Sequence, residues 1–112
     1  MGPSRGEVWY VDFDPVKGHE QSGLRPALVV SVDPFNHGPA GLVVVLPITT
    51  RYKGIPFHVS VNPPEGGLTR QSFIKCEDIR SLSEDRVTTK LGSVLPSTFA
   101  QVEDRLKILL GL

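Results

Sequence analysis

Cysteine is nearly missing from this sequence: Cys76 stands alone, so no internal disulfide can form. That suits a reducing compartment. With no apolar leader in "MGPSRGEVWY" and no run of membrane-spanning length, a cytoplasmic protein with no membrane contact is expected. An excess of either charge is missing too, because 12 basic residues balance 12 acidic ones along the whole chain. This disfavours a polybasic nucleic-acid glue, which must neutralise many phosphates, but leaves room for a local cationic groove. Neither G-x-x-x-x-G-K-[ST] nor G-x-G-x-x-G before a helix occurs, so nucleotide-cradling loops are excluded. There is no C-x-x-C, and His19, His37 and His58 lack the spacing of metal ligands. Asp12 and Asp14 of "DFD" close a strand ahead of a proline and read as turn formers, so no metal or other cofactor is expected.

What remains is patterned. A chain of 112 residues is read as one domain, 1–112, large enough to bury about two-thirds of its unfolded surface. "GEVWYVDF" (6–13) alternates, with Trp9, Val11 and Phe13 on one side and Val8, Tyr10 and Asp12 on the other. "PALVVSV" (26–32) and "LVVVLPI" (42–48) are apolar throughout, as in strands covered on both faces, and a helix or a second subunit is expected as the second cover. Pro47 is expected to end the latter strand. "FHVSV" (57–61), "SFIKC" (72–76) and "IRSL" (79–82) read as further strands, and Ser83 as an N-cap of a short helical turn. In "LPSTFAQVEDRLKILLGL" the residues Leu95, Phe99, Val102, Leu106 and Leu109 recur at helical spacing, with Pro96 near the start, a Glu103–Lys107 pair and Gly111 at the end. Five to seven short strands and one packing helix predict a mainly β fold, a small antiparallel barrel with a C-terminal helix.

One loop exceeds what a hairpin needs. "KGHEQSGLRP" (17–26) carries Lys17, His19, Glu20, Gln21 and Arg25 between two strands. Pro26 pushes Arg25 out of the helical region, so it is extended at a strand mouth. Thr49 and Thr50 leave the second of the two apolar strands, and pairing of those strands would bring them near Arg25. A carboxylate, a guanidinium and a hydroxyl suit RNA cleavage through its own 2′-OH, without a metal. Glu20 would be the base, Arg25 the phosphate clamp and a candidate acid, and Thr49 a hydrogen-bond donor to a non-bridging oxygen. His19 is an alternative acid or base. By residue types alone, the same groups more often make a solvated loop with a surface ion pair.

The segment "RGEVWYVDFDPVKGHEQSGLRPALVVS" closely resembles the N-terminal signature of MazF/PemK-type toxins. "VVVLPITT", "GLTRQSFIKCEDIRSL" and "RVTTKLGSVLPSTFAQVEDRLKILLGL" continue the resemblance over nearly all of residues 5–112. It implies an SH3-like (CcdB/PemK-type) barrel, a homodimer, and a toxin of a toxin–antitoxin pair. The implied activity is a sequence-specific, metal-independent endoribonuclease, an mRNA interferase cutting single-stranded RNA. The family's essential arginine falls on Arg25, its acid on Glu20 and its strand-end hydroxyl on Thr49. Lys17, His19, Gln21, Thr50, Phe57, Lys75, Glu77 and Arg80 are expected RNA contacts, with stacking on Phe35 or Phe57. Whether Glu77 or Asp78 faces the groove stays open, and Lys75, Glu77 and Arg80 also suit an exposed strand face that balances charge. A MazE-like antitoxin would place an acidic, extended tail in the same groove. The rival reading is a gyrase-binding toxin of similar fold; those carry a C-terminal Trp-Gly-Ile, whereas this chain ends "ILLGL". A barrel that only binds, without chemistry, is the plainer rival.

Overall fold

The computed structural model describes residues 2–14 and 23–112. Among these, seven strands form one antiparallel sheet: β1 (Glu7–Asp12), β2 (Leu24–Val29), β3 (Leu42–Thr49), β4 (His58–Val61), β5 (Ser72–Lys75), β6 (Arg80–Ser83) and β7 (Val87–Ser93). A single-turn helix, α1 (Asp33–Asn36), follows β2, and α2 (Pro96–Leu110) follows β7. The hydrogen-bonded order is β4-β5-β3-β2-β1-β7, and β6 also pairs with β3. β3 therefore forks: Leu42–Val45 pair with β6, while Ile48 and Thr49 pair with β5. The fork lets the sheet curl into a barrel-like shape.

Pro47 does not end its strand. The Val44 carbonyl accepts from the Val30 N–H at 3.0 Å, so even-numbered residues of β3 turn their polar backbone toward β2. Pro47 turns its missing N–H the other way, into the fork where β6 has stopped and β5 has not begun. The ladder passes through it, as Ala27↔Pro47, to Thr49.

The curl encloses one core: Val8, Leu28, Leu46, Ile48, Val59 and Ile74, closed by Val102 of α2. β4 and β7, the ends of the path, share no hydrogen-bonded ladder, and a 3₁₀ turn at Glu65–Gly67 fills the space between. A Cβ at Gly92 would fall 2.7 Å from the Gly66 backbone, so only glycine lets the two segments touch. A second cluster, Val11, Phe13, Ala27, Val29, Val43 and Val45, lies on the opposite face of β1–β3. Its cover is neither a helix nor a second subunit: Val87, Trp9 and Leu82 of the same chain pack over it, and Ala27, Val29, Val43 and Val45 are fully buried in one chain. The two apolar strands thus give no argument for a dimer.

α2 begins with Pro96 and ends at Gly111, in the left-handed region at φ 70°. The Leu112 N–H reaches back to the Lys107 carbonyl at 2.9 Å, completing the cap. Only the middle of its apolar stripe is covered: Val102 is buried and Phe99 and Leu106 pack on the core, but Leu95 and Leu109 are 56% and 37% exposed. Glu103 meets Arg5 at 3.1 Å rather than Lys107, because Arg5 is held beside the helix over the Phe99 ring. Ser83 Oγ accepts from the Asp85 N–H at 3.3 Å and caps a 3₁₀ turn that β7 replaces at once. Among the described residues, no helix is long and apolar enough to cross a membrane.

Candidate functional site

β1 runs out in Asp12-Phe13-Asp14, and these residues build the neck of the long loop. The Phe13 N–H donates to the Gly23 carbonyl at 3.0 Å, and the Gly23 N–H donates to Asp14 Oδ1 at 3.0 Å. Asp12 Oδ1 accepts from the Asp14 N–H at 3.0 Å. From the turn after β6, the Arg86 guanidinium donates to the carbonyls of Asp12 and Asp14. Both aspartates are turn formers, as the proline after them suggested. The expected site residues Lys17, His19, Glu20 and Gln21 lie outside the described residues.

Arg25 sits two residues into β2, exposed, opposite Val11 of β1. The β2–β3 ladder ends at Ala27↔Pro47, and two residues beyond it on each strand Arg25 and Thr49 lie on the same sheet face. Thr49 in turn pairs with Phe73 of β5, and Phe73 with Ser60 of β4. Paired residues point to one face of a sheet, so Arg25, Thr49, Phe73 and Ser60 form a row across four strands. The row continues the face that holds Ala27, Val29 and Val45 in the second core cluster. Thr49 Oγ1 accepts from the Arg51 N–H at 3.2 Å, which leaves its own proton to donate outward. Thr50 follows, exposed.

The later strands add a charged rim on that face. Lys75 is opposite His58, and Arg80 is opposite Val45. Asp78 is bound from both sides, by Lys75 Nζ at 3.5 Å and by Arg80 Nε at 3.1 Å, and the Arg80 guanidinium lies 5.0 Å from the Phe13 ring centre. Glu77 instead takes the nearly buried His58, whose Nε2 is 2.9 Å from Glu77 Oε2. The two adjacent carboxylates thus have separate partners, and Lys75 and Arg80 share Asp78. Phe57 turns away: it packs against the core under α2, on the far face of β4. Phe35 belongs to α1, beside the beginning of β3 rather than its exit. Cys76 is no nucleophile, because burial pushes its thiol up to about 12, with the Glu77 charge adding to the rise.

The aromatic group at the row is Phe73, and Tyr52 leans on it with ring centres 5.5 Å apart. Sequence reasoning missed both. The signal for Tyr52 was a cation–aromatic–cation run, Arg51-Tyr52-Lys53, directly behind Thr50. Phe73 was hidden inside an alternating strand whose outward side only the register reveals. His58 was weighed only as a metal ligand, while its partner is a carboxylate 19 positions on.

Comparison with known proteins supplies the rest. The endoribonuclease MazF9 of Mycobacterium tuberculosis is 36% identical over 96% of both chains. A crystal structure of MazF from Deinococcus radiodurans superposes with a TM-score of 0.88 at 34% identity, covering 100% of this chain and 99% of that one. An endoribonuclease from a Mycobacterial species, solved in complex with its cognate antitoxin, superposes with a TM-score of 0.82 at 30% identity, over 99% and 97% of the chains. The family model of the PemK-like, MazF-like toxins of type II toxin–antitoxin systems matches residues 4–110. This chain belongs to the PemK-like, MazF-like toxin family.

Proposed function

We propose that the protein is a sequence-specific endoribonuclease toxin that cuts single-stranded RNA by attack of its own 2′-OH. The observation that carries the reading is the shared sheet face of Arg25 and Thr49, in a chain whose relatives are endoribonucleases. The O2′–P bond forms as the P–O5′ bond breaks, leaving a 2′,3′-cyclic phosphate and a 5′-OH. Arg25 presents a fork to the non-bridging oxygens, where charge accumulates in the transition state. Thr49 donates to one of the same oxygens. Glu20, the position of the family's acid, takes the 2′-OH proton, and Arg25 or His19 protonates the leaving oxygen, a role that rests on their side-chain chemistry. One domain, 1–112, suffices for the chemistry. Side chains alone supply base, clamp and acid, so cleavage is expected to persist in excess EDTA. Loss of cleavage on chelation would overturn the reading, as would linear 2′- or 3′-phosphate ends formed without a cyclic precursor.

The partners follow from the relatives. An antitoxin is expected to cover the Arg25–Phe73 face, since a structural relative is solved with its own antitoxin. Acidic side chains of that partner would meet Arg25, Lys75 and Arg80. The chain is expected to act in the cytoplasm, where RNA is available, as a homodimer of twice the mass of one chain by light scattering. The gyrase-binding rival gains no support from the relatives, which are named endoribonucleases.

A further inference from the structure

Tyr52 is among the most exposed apolar side chains of the protein, at 77%. It is not loose. One side of its ring leans on Phe73 at an interplanar angle of 56°, and Gly54, at φ 65°, turns the chain so that a side chain added there would touch the hydroxyl edge. Phe73 is the cross-strand partner of Thr49, so the supporting ring stands beside the hydroxyl of the cleavage row. Tyr52 is flanked in sequence by Arg51 and Lys53, both exposed. The Arg51 backbone N–H is itself bonded to Thr49 Oγ1. An aromatic face held open to solvent, with cations on either side, is the arrangement that binds single-stranded nucleic acid: bases stack on the ring and phosphates meet the cations. A ring already held in place loses little freedom when a base settles on it.

Resting on the ribonuclease reading, we propose that Tyr52, supported by Phe73, is a stacking platform for the base next to the scissile phosphate, with Arg51 and Lys53 facing the neighbouring phosphates. Stacking uses the π-face that every base has, so the platform anchors the strand with little base preference and leaves sequence reading to other groups. It also fixes direction: a base on Tyr52 continues the row that runs through Thr49 to Arg25.

The test uses the full chain and a fluorescein-labelled single-stranded RNA with 2′-O-methyl riboses, which cannot be cut through the 2′-oxygen. Tyr52→Ala should raise Kd about 5- to 160-fold, the range for loss of one base–aromatic stack. Tyr52→Phe should stay within about 2-fold of the parent, because the ring face is kept. Tyr52→Leu should behave like Tyr52→Ala, since apolar area without a π-face does not replace the stack. The slope of log Kd against log salt should not change in Tyr52→Ala; a drop of about 0.7 would mean a lost phosphate contact and would overturn the assignment. Cleavage of unmodified RNA, run in parallel, separates the two levels. If Tyr52→Ala binds and cleaves like the parent, the platform is wrong and the ribonuclease reading stands. If the parent protein neither binds nor cleaves, both fall.

Discussion

The two faces of the β2–β3 ribbon end differently. The inner face stays apolar to its last residue, Leu28 opposite Leu46 and then Ile48, all buried in the barrel. The outer face begins the same way, with Val29 opposite Val45, passes Ala27 and Pro47, and then turns polar at Arg25 and Thr49. One pleat separates a fully buried pair from the site. The lesson is about rigidity: side chains placed on strands whose reverse face is locked in a packed core keep their spacing without a loop to hold them. The neighbouring loop region is built the opposite way, from a neck of backbone hydrogen bonds closed by Arg86.

If this division is right, substitutions on the two faces should have separable effects. Arg25→Ala should reduce kcat by about 10²- to 10³-fold, as loss of a transition-state anion donor does, while the thermal midpoint hardly moves. Leu46→Ala, three residues from Thr49 in sequence but on the inner face, should do the reverse. It should lower stability by about 3 kcal/mol in urea titration and leave the folded fraction active. Thr49→Val removes one neutral donor with little change in shape. It should slow cleavage by about 10-fold, with Thr49→Ser restoring most of the rate. Equal losses of activity from Leu46→Ala and Arg25→Ala would erase the distinction between the faces.

The smallest effect concerns the far end of β1. Burial alone would raise the Glu7 carboxyl, but bonds from Lys90, Trp9 Nε1 and the Ser4 N–H, with the Lys90 charge, hold it below its ordinary value of 4.5. A lowered folded-state pKa adds stability above the unfolded value, and that stability is lost as pH falls through the folded one. Glu7→Gln should therefore cost about 1 kcal/mol at pH 7, and the difference should shrink as pH drops below about 4.5. A gap that widens in acid would reverse the sign and remove Glu7 as the clasp between β1 and β7.

Much of this was legible in the residues, for particular reasons. Trp9, Val11 and Phe13 alternate with Val8, and the structure sends them to different clusters. The α2 stripe was visible as a period, although its ends, Leu95 and Leu109, are left uncovered, because a period says which side faces in and not how far the sheet reaches. Arg25 and Thr49 were nameable from local chemistry, whereas their juxtaposition depends on register, a long-range property. α1 went unseen because four residues that open with an Asp-Pro pair show no period at all. Phe73 and His58 were hidden for the same cause as the register: a strand's outward residues acquire neighbours only when another strand is laid beside it. The second cover of β2 and β3 was misjudged because a seven-strand sheet that forks at β3 can fold over itself, which no single strand's composition reveals.

The most direct test of the central claim is a double-mutant cycle on single-turnover cleavage with Arg25→Ala and Thr49→Val. Groups that hold the same phosphate in one transition state act as a unit, so the double variant should be hardly slower than Arg25→Ala alone. Losses that simply multiply would show that the two residues serve separate parts of the molecule, and would contradict the account.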